Sequence, residues 1–203
     1  MDEEIKKGFE IVADLAEVGL DQAFVDGFLR DIPFIGAAYK IALLGKSISD
    51  RIFVTKLARF LRVLEDMPKE KIEEFCRNVD EGGVSLRCLG EAVILAINRI
   101  DDMDKLPILG RIFRAYVGGA ITYDQFRRLY AAIDSAVLTD LLAFCNSGIT
   151  SGDPAFSHLS NSGLTAVSTN ALDERGMTVF LRIEKTQLGE VFQKIMAQGP
   201  DPR

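Results

Sequence analysis

The sequence has little of the chemistry that most enzymes and metalloproteins use. It contains no tryptophan, a single histidine, His158, and three cysteines without CxxC spacing, Cys76, Cys88 and Cys145. His158 stands in a polar stretch, and no serine or cysteine occurs in a nucleophile-elbow context, so neither a catalytic triad nor a dyad is indicated. The phosphate-binding patterns GxxxxGK[ST] and GxGxxG are also missing. We therefore expect a non-enzymatic protein without catalytic residues, cofactor or metal site.

The cysteines and the N-terminus are typical of a cytoplasmic protein. An odd number of cysteines in a chain of 203 residues does not form a disulfide framework, which favours a reducing compartment. The first residues, MDEEIKK, begin with acids, whereas a secretory signal begins with bases followed by an apolar region. We expect cytoplasmic location, with peripheral membrane association as the alternative.

No apolar run is long enough to cross a membrane. The most apolar stretch, Ile32 to Gly45, is 14 residues long and contains Lys40, whereas a transmembrane helix needs about 20 predominantly apolar residues. The stretch is therefore a buried helix or one that lies in a membrane interface. We expect Ile35, Ile41 and Leu44 to be buried in the resting protein.

The hydrophobic content of 48% supports a proper core, and its periodicity is mainly helical. Apolar residues recur at three- and four-residue spacing, and Thr122 with Gln125 forms a capping box that opens the last helix of the body. The predicted helices after residue 46 are Ser47–Leu64, a short solvated helix from Pro68 to Gly82, Leu86–Ile100, one around Leu109–Tyr116, and Tyr123–Cys145. The sequence thus predicts a multi-helix body over residues 1–150.

The periodicity changes after a stretch rich in Ser, Gly and Asn, Asn146 to Ser162, which is typical of loops. Leu164–Thr169 and Met177–Glu184 predict a β-hairpin, and Thr186 predicts the N-cap of a closing helix. We expect one face of the second strand to pack on that helix; it comprises Met177, Val179, Leu181 and Ile183. Residues 151–203 are therefore predicted to form a small α/β unit.

The pattern Leu159-x3-Gly163-Leu164, a hairpin, then Thr186-x2-Gly189-x2-Phe192 resembles the second half of a winged helix. The resemblance implies that Ala155 to Gly163 occupies the position of the recognition helix. That segment has neither Arg nor Lys and is too short to fill a major groove. Because the whole chain is also acidic, with 24 basic and 30 acidic residues, we do not expect nucleic-acid binding.

A second resemblance concerns the helical body. The body is similar to a recurrent type of small bacterial helical protein in its short motifs Ile32-Pro33, Asp50-Arg51-Ile52-Phe53, Lys56-Leu57, Phe60-Leu61 and Tyr123-Asp124-Gln125-Phe126. The resemblance implies a helical body and a bacterial or phage origin. It implies no particular activity.

Charge is segregated along the first third of the chain. Residues 1–30 carry 8 acids and 3 bases, whereas residues 31–63 carry 2 acids and 6 bases. The helix Ser47–Leu64 places its bases opposite its apolar stripe, and they form a candidate docking face that comprises Arg51, Lys56, Arg59 and Arg62. This face is a solvated surface, a match for the acidic first segment, or a site for an acidic protein or an anionic membrane.

The polar cluster Asp101, Asp102 and Asp104 lies between two predicted helices and has no further ligand at a recognisable spacing. We interpret it as a solvated helix-capping cluster.

These observations favour a soluble bacterial protein that acts by binding another macromolecule. A protein partner or self-association is expected, with no small-molecule substrate. The first alternative is a peripherally membrane-active protein that uses the apolar and basic region 33–64. The second alternative is an atypical winged-helix regulator.

Overall fold

The structure is a computed structural model that describes residues 47–81, 85–145, 152–170 and 180–198. Its contacts divide the chain into two compact units, Met1–Ala120 and Ile121–Arg203. The described residues form eight α-helices and one two-stranded antiparallel sheet near the C-terminus. The predicted fold class, mainly helical with a small C-terminal α/β unit, is confirmed. Ile35, Ile41 and Leu44, which are expected to be buried, lie outside the described residues.

Four helices make up the described part of the first unit. They are α1 (Ile48–Arg62), α2 (Lys69–Glu81), α3 (Leu86–Arg99) and α4 (Leu106–Val117), and the short 3₁₀ helix Met103–Lys105 precedes α4. Each bound agrees with the sequence prediction to within a few residues. A capping box fixes the start of α1, because the Ser47 hydroxyl accepts a hydrogen bond from Asp50 N at 3.1 Å while Asp50 bonds back to Ser47 N.

The core of the first unit forms where α1 packs against α4. Phe60 of α1 meets Phe113 of α4 with ring centroids 5.4 Å apart, and Phe75 of α2 meets the same ring at 6.3 Å. Gly110 lets the two helices approach closely, since a methyl group there would lie 2.9 Å from the Phe60 carbonyl oxygen. The other core residues are fully buried: Leu57, Leu61, Leu64, Leu106, Ile108, Leu109 and Ile112.

Helix α2 differs from the expected solvated helix. Its Ile72, Phe75 and Val79 are buried, although most of its other described side chains are exposed. The spacing of these three residues, i, i+3 and i+7, is that of an amphipathic helix. The stretch is rich in Lys and Glu and has only about one apolar residue in each helical turn. For this reason the sequence pattern predicted a solvated helix.

The described part of the second unit consists of four α-helices, one 3₁₀ helix and a hairpin. Its elements are α5 (Tyr123–Ser135), α6 (Leu138–Cys145), α7 (Pro154–His158), the 3₁₀ helix Leu159–Ser162, β1 (Thr165–Asn170), β2 (Phe180–Lys185) and α8 (Gln187–Ala197). The predicted capping box is present, since Thr122 and Gln125 bond reciprocally at the start of α5. Thr186 caps α8 as predicted, accepting from Gly189 N.

The predicted continuous helix from Tyr123 to Cys145 is wrong, because the chain breaks between α5 and α6. Ala136 is extended, with φ −82° and ψ 152°, and is buried, whereas the next residue, Val137, is exposed. The hydroxyl of Ser135 donates to the carbonyl of Ala131 at 2.9 Å. Such side-chain bonds compete with the helical backbone, and the break shifts the apolar stripe by one residue.

The stretch predicted as loop up to Ser162 is helical from Pro154. Asp153 caps α7 by accepting from Ala155 N at 3.0 Å, and Pro154 occupies the first turn. Aspartate followed by proline is a usual helix start, and that local signal was outweighed by the Ser- and Asn-rich composition. Residues 146–151 lie outside the described part.

The predicted hairpin is present and antiparallel. Thr165 pairs with Lys185, Val167 with Ile183, and Asn170 with Phe180. Ile183 is half-buried, and β2 contacts α8. Met177, Val179 and the side chain of Leu181 lie outside the described residues, so the predicted four-residue face stays a prediction.

Aromatic side chains and one glycine hold the second unit together. The Phe144 ring of α6 lies 5.6 Å from the Phe156 ring and 6.1 Å from the Phe192 ring, measured between centroids. Gln193 Nε2 donates to the Phe144 carbonyl at 2.6 Å. At Gly189 any side chain would collide with the backbone carbonyl of Leu164, so this glycine allows α8 to start directly against the base of the hairpin.

The expected boundary near residue 150 falls inside the second unit and stays a prediction. A truncation experiment decides where the chain divides. Residues 121–203 alone should unfold in one cooperative thermal transition followed by circular dichroism, whereas residues 151–203 should not, because they lack Phe144 and the α5 and α6 helices. A cooperative transition of 151–203 alone would support the division at 150 instead.

Gly110 provides a test of the α1–α4 packing. Gly110→Ala should lower the free energy of unfolding by about 1–3 kcal/mol, because the new methyl group meets the rigid backbone at Phe60 and the side chain of Val63. Alanine's better helix propensity, about 1 kcal/mol, offsets only part of this loss. Gly152→Ala, whose methyl group meets no heavy atom within 4 Å, is the control and should change stability by less than about 0.5 kcal/mol in a denaturant titration.

Candidate docking surface

The four bases of the candidate docking face do not share one environment. Arg51 and Arg62 are exposed, Arg59 is half-buried, and Lys56 is buried, with 6% of its surface accessible. The prediction that all four lie exposed on the outer face is therefore wrong for Lys56. Whether the others act in docking stays a prediction.

Lys56 ties α1 to the end of α3. Its Nζ donates to the Asn98 carbonyl oxygen at 2.9 Å, in the last turn of α3. The final carbonyls of a helix lack partners within the helix and carry partial negative charge, so a buried ammonium is well placed there. The aliphatic stem of lysine can lie along apolar surface while its head reaches a polar group. Lys56 is therefore a structural residue.

A sequence signal for this burial exists. Phe53, Lys56 and Phe60 are spaced i, i+3 and i+7, so Lys56 borders the apolar stripe and does not lie opposite it. The apolar pattern of one helix does not show how many neighbours the helix has, and α1 packs against both α3 and α4. A helix with two neighbours buries a wider arc of its surface.

Arg59 ties α1 to the segment before α4. Its Nη1 lies 2.7 Å from Asp104 Oδ1 in an ion pair that is open to solvent on both sides. Asp102 accepts from Asp104 N at 3.0 Å and caps the 3₁₀ helix, so the predicted helix-capping cluster is confirmed for this residue. An exposed pair of this kind contributes about 0–1 kcal/mol.

The remaining exposed part of α1 combines two isoleucines with two arginines. Ile48 is 78% exposed and Ile52 is 41% exposed, one helical turn apart. At about 100° per residue, these isoleucines lie on the same side of α1 as Arg51 and Arg62, opposite Leu57 and Leu61. We call the set of Ile48, Arg51, Ile52 and Arg62 the α1 outer face.

The isoleucines were not among the predicted site residues. Their i, i+4 spacing was visible, but isolated apolar residues on a surface are common and carry no signal by themselves. Only the structure shows that this side of α1 is exposed.

The single histidine lies beside a carboxylate in the second unit. His158 Nδ1 lies 3.1 Å from Asp140 Oδ2, and the imidazole is largely exposed. Within the described ranges, no cluster of three or more His, Cys, Asp or Glu side chains could hold a metal ion. None of the described helices is both long and apolar enough to cross a membrane.

Comparisons with protein-family models, curated proteins and solved structures find no match to this chain. The resemblances to a winged helix and to a type of small bacterial protein therefore stay predictions. Any functional conclusion for this chain rests on the geometry of its described residues.

A matched pair of charge reversals on α1 tests the different roles of its bases. Lys56→Glu should lower the free energy of unfolding by about 3 kcal/mol or more, because it buries a carboxylate against the Asn98 carbonyl. Arg62→Glu makes the same change of charge at an exposed position of the same helix and should cost less than about 0.5 kcal/mol. Chemical denaturation measures both, and equal effects would contradict the structural role of Lys56.

Proposed function

We propose that this chain is a non-enzymatic protein that binds another protein through the α1 outer face. The observation that supports the proposal is the exposure of Ile48 and Ile52, one turn apart on a helix whose own core stripe is buried. Helix surfaces that dock into a partner present apolar anchors at i and i+4, and protein interfaces are enriched in arginine. The α1 outer face has both features.

The chemistry of the face defines its partner. Two isoleucines fit an apolar pocket or groove, and Arg51 and Arg62 fit carboxylates at the rim of that groove. Oppositely charged rims accelerate association and favour the correct partner more than they increase affinity. The expected partner is therefore a protein with an apolar groove edged by Asp or Glu, and its association rate should fall with increasing salt.

The contacts of Lys56 and Arg59 support this function indirectly. Both bind elements of their own unit, Asn98 and Asp104, and so hold α1 in a fixed orientation. A helix that is held rigidly before binding loses less conformational entropy when it docks. The buried and paired bases position the face, and the exposed residues present it to solvent.

An anionic membrane is the second candidate, since isoleucines beside arginines also fit a lipid interface. The burial of the α1 core stripe argues against it. Val54, Leu57 and Leu61 are almost fully buried, so the larger apolar face of α1 faces the core and not solvent. An interfacial helix needs that larger face to enter the lipid, and exposing it would cost about 1.5–3 kcal/mol for each side chain. The protein partner is favoured for this reason.

A winged-helix regulator is less well supported. The helix α7 has five residues, and the exposed side chains of α7 and the following 3₁₀ helix include Ser157, His158 and Asn161 but no Arg or Lys. Phosphate contacts by bases supply most of the affinity for DNA. We expect weak and unspecific nucleic-acid binding at most.

A site-specific photocrosslinker tests the proposal in the cells that produce the protein. Benzoylphenylalanine at position 48 should crosslink repeatedly to one protein, and benzoylphenylalanine at the exposed position 78 of α2 should not. The double change Arg51→Glu with Arg62→Glu should abolish the crosslink from position 48, and a thermal unfolding curve of the variant checks that the chain still folds.

Vesicles separate the two candidates. The protein is mixed with phosphatidylglycerol or phosphatidylcholine vesicles and sedimented. If it cosediments only with phosphatidylglycerol, and the same double variant does not, the partner of the α1 outer face is a lipid surface and not a protein. Equal crosslinking from positions 48 and 78 would refute docking through the α1 outer face.

A further inference from the structure

The strand β1 has one edge that no other described strand covers. Among the described residues, β1 pairs only with β2. Thr186 N donates to the Leu164 carbonyl at 3.1 Å, which makes Leu164 and Thr186 a hydrogen-bonded pair of the antiparallel ladder. Such pairs alternate along a ladder, so the backbone groups of Thr165, Val167 and Thr169 point away from β2.

The accessible part of this edge begins at Val167. Thr165 is 1% exposed and its hydroxyl donates to the Phe156 carbonyl, so α7 covers the start of the strand. Val167 is 55% exposed, although it lies in the middle of a strand. The outward amide and carbonyl groups of Val167 and Thr169 have no partner strand among the described residues.

The composition of β1 differs from that of a protected edge. Exposed edge strands usually carry lysine, another charge or proline, which prevents pairing with other chains. The six residues of β1, TAVSTN, include none of these, whereas β2, FLRIEK, carries Arg182, Glu184 and Lys185. The edge without charges is thus also the edge with an exposed valine.

We propose that β1 is a self-association interface, at which β1 of a second copy of this chain pairs antiparallel to it. The two hairpins would form one four-stranded sheet through the outward backbone groups of Val167 and Thr169. The interface lies in the second unit and does not depend on the α1 outer face.

The absence of charge in β1 permits pairing with a second copy of the same strand. A two-fold axis places β1 opposite its own sequence, so any charged residue in it would meet or lie near an identical charge. Ala166, Val167 and Ser168 are uncharged and small, and they create no such repulsion in either of the two registers that join Val167 to Val167 or to Thr169. β1 therefore lacks the like-charge repulsion that keeps the edge strands of identical chains apart.

Sedimentation velocity of the full chain over a concentration series tests the proposal. The unchanged protein should dimerise reversibly. Val167→Pro should weaken the dimer about tenfold or more, because proline removes an outward N–H and leaves the hydrogen bonds between β1 and β2 in place. Val167→Lys should have the same effect by bringing two like charges together at the two-fold axis or next to it, depending on the register, and it serves if the proline variant does not fold.

Thr139→Lys is the control. It adds the same charge at an exposed position of α6, away from the hairpin, and should leave the dimerisation constant unchanged within about twofold. A protein that stays monomeric at its highest soluble concentration would overturn the proposal. A dimer that persists unchanged in a folded Val167→Pro or Val167→Lys variant would also overturn it, since the copies would then associate elsewhere.

Discussion

The close approach of α1 and α4 at Gly110 is the constraint on which the first unit depends. Because there is no side chain at this position, the Phe60 carbonyl comes close to α4, and Phe60 and Phe113 can then pack together. Arg114 extends the contact by donating to the Val63 carbonyl at 3.0 Å, at the end of α1. The orientation of α1, and with it the set of residues that it exposes, follows from this helix pair.

Similar side chains on α1 have different roles because burial decides what a positive charge can do. An ammonium inside the unit must have a polar partner, and the final carbonyls of α3 supply one to Lys56. A guanidinium in water gains little from any single partner, and Arg62 can therefore serve a partner molecule at low cost to stability. The sequence pattern gives the angular position of each residue on the helix but not the number of helices that surround it. Lys56 and Arg62 were therefore assigned to one face.

Local signals predicted most of the fold, and contacts distant in sequence explain the differences. Ser47, Thr122 and Thr186 marked helix starts correctly, since a cap depends on residues within one turn. The burial of Lys56, in contrast, depends on elements more distant in the sequence. The sequence also did not predict the exposed isoleucines of the α1 outer face or the uncovered edge of β1. Exposure depends on how the whole unit packs, and local patterns do not show it.

The base of the hairpin is closed by one residue. The Thr186 hydroxyl donates to the Gly163 carbonyl at 2.7 Å, its amide donates to the Leu164 carbonyl, and Gly189 admits that same carbonyl against α8. These contacts fix the position of the hairpin base, and they do not depend on the length of the hairpin. In general, doubling the length of a loop between two fixed ends costs only about 0.6 kcal/mol. Insertions and deletions between the two strands should therefore cost little stability during sequence divergence. Substitutions at Thr186 or Gly189 should cost more, because they disrupt the contacts at the base of the hairpin.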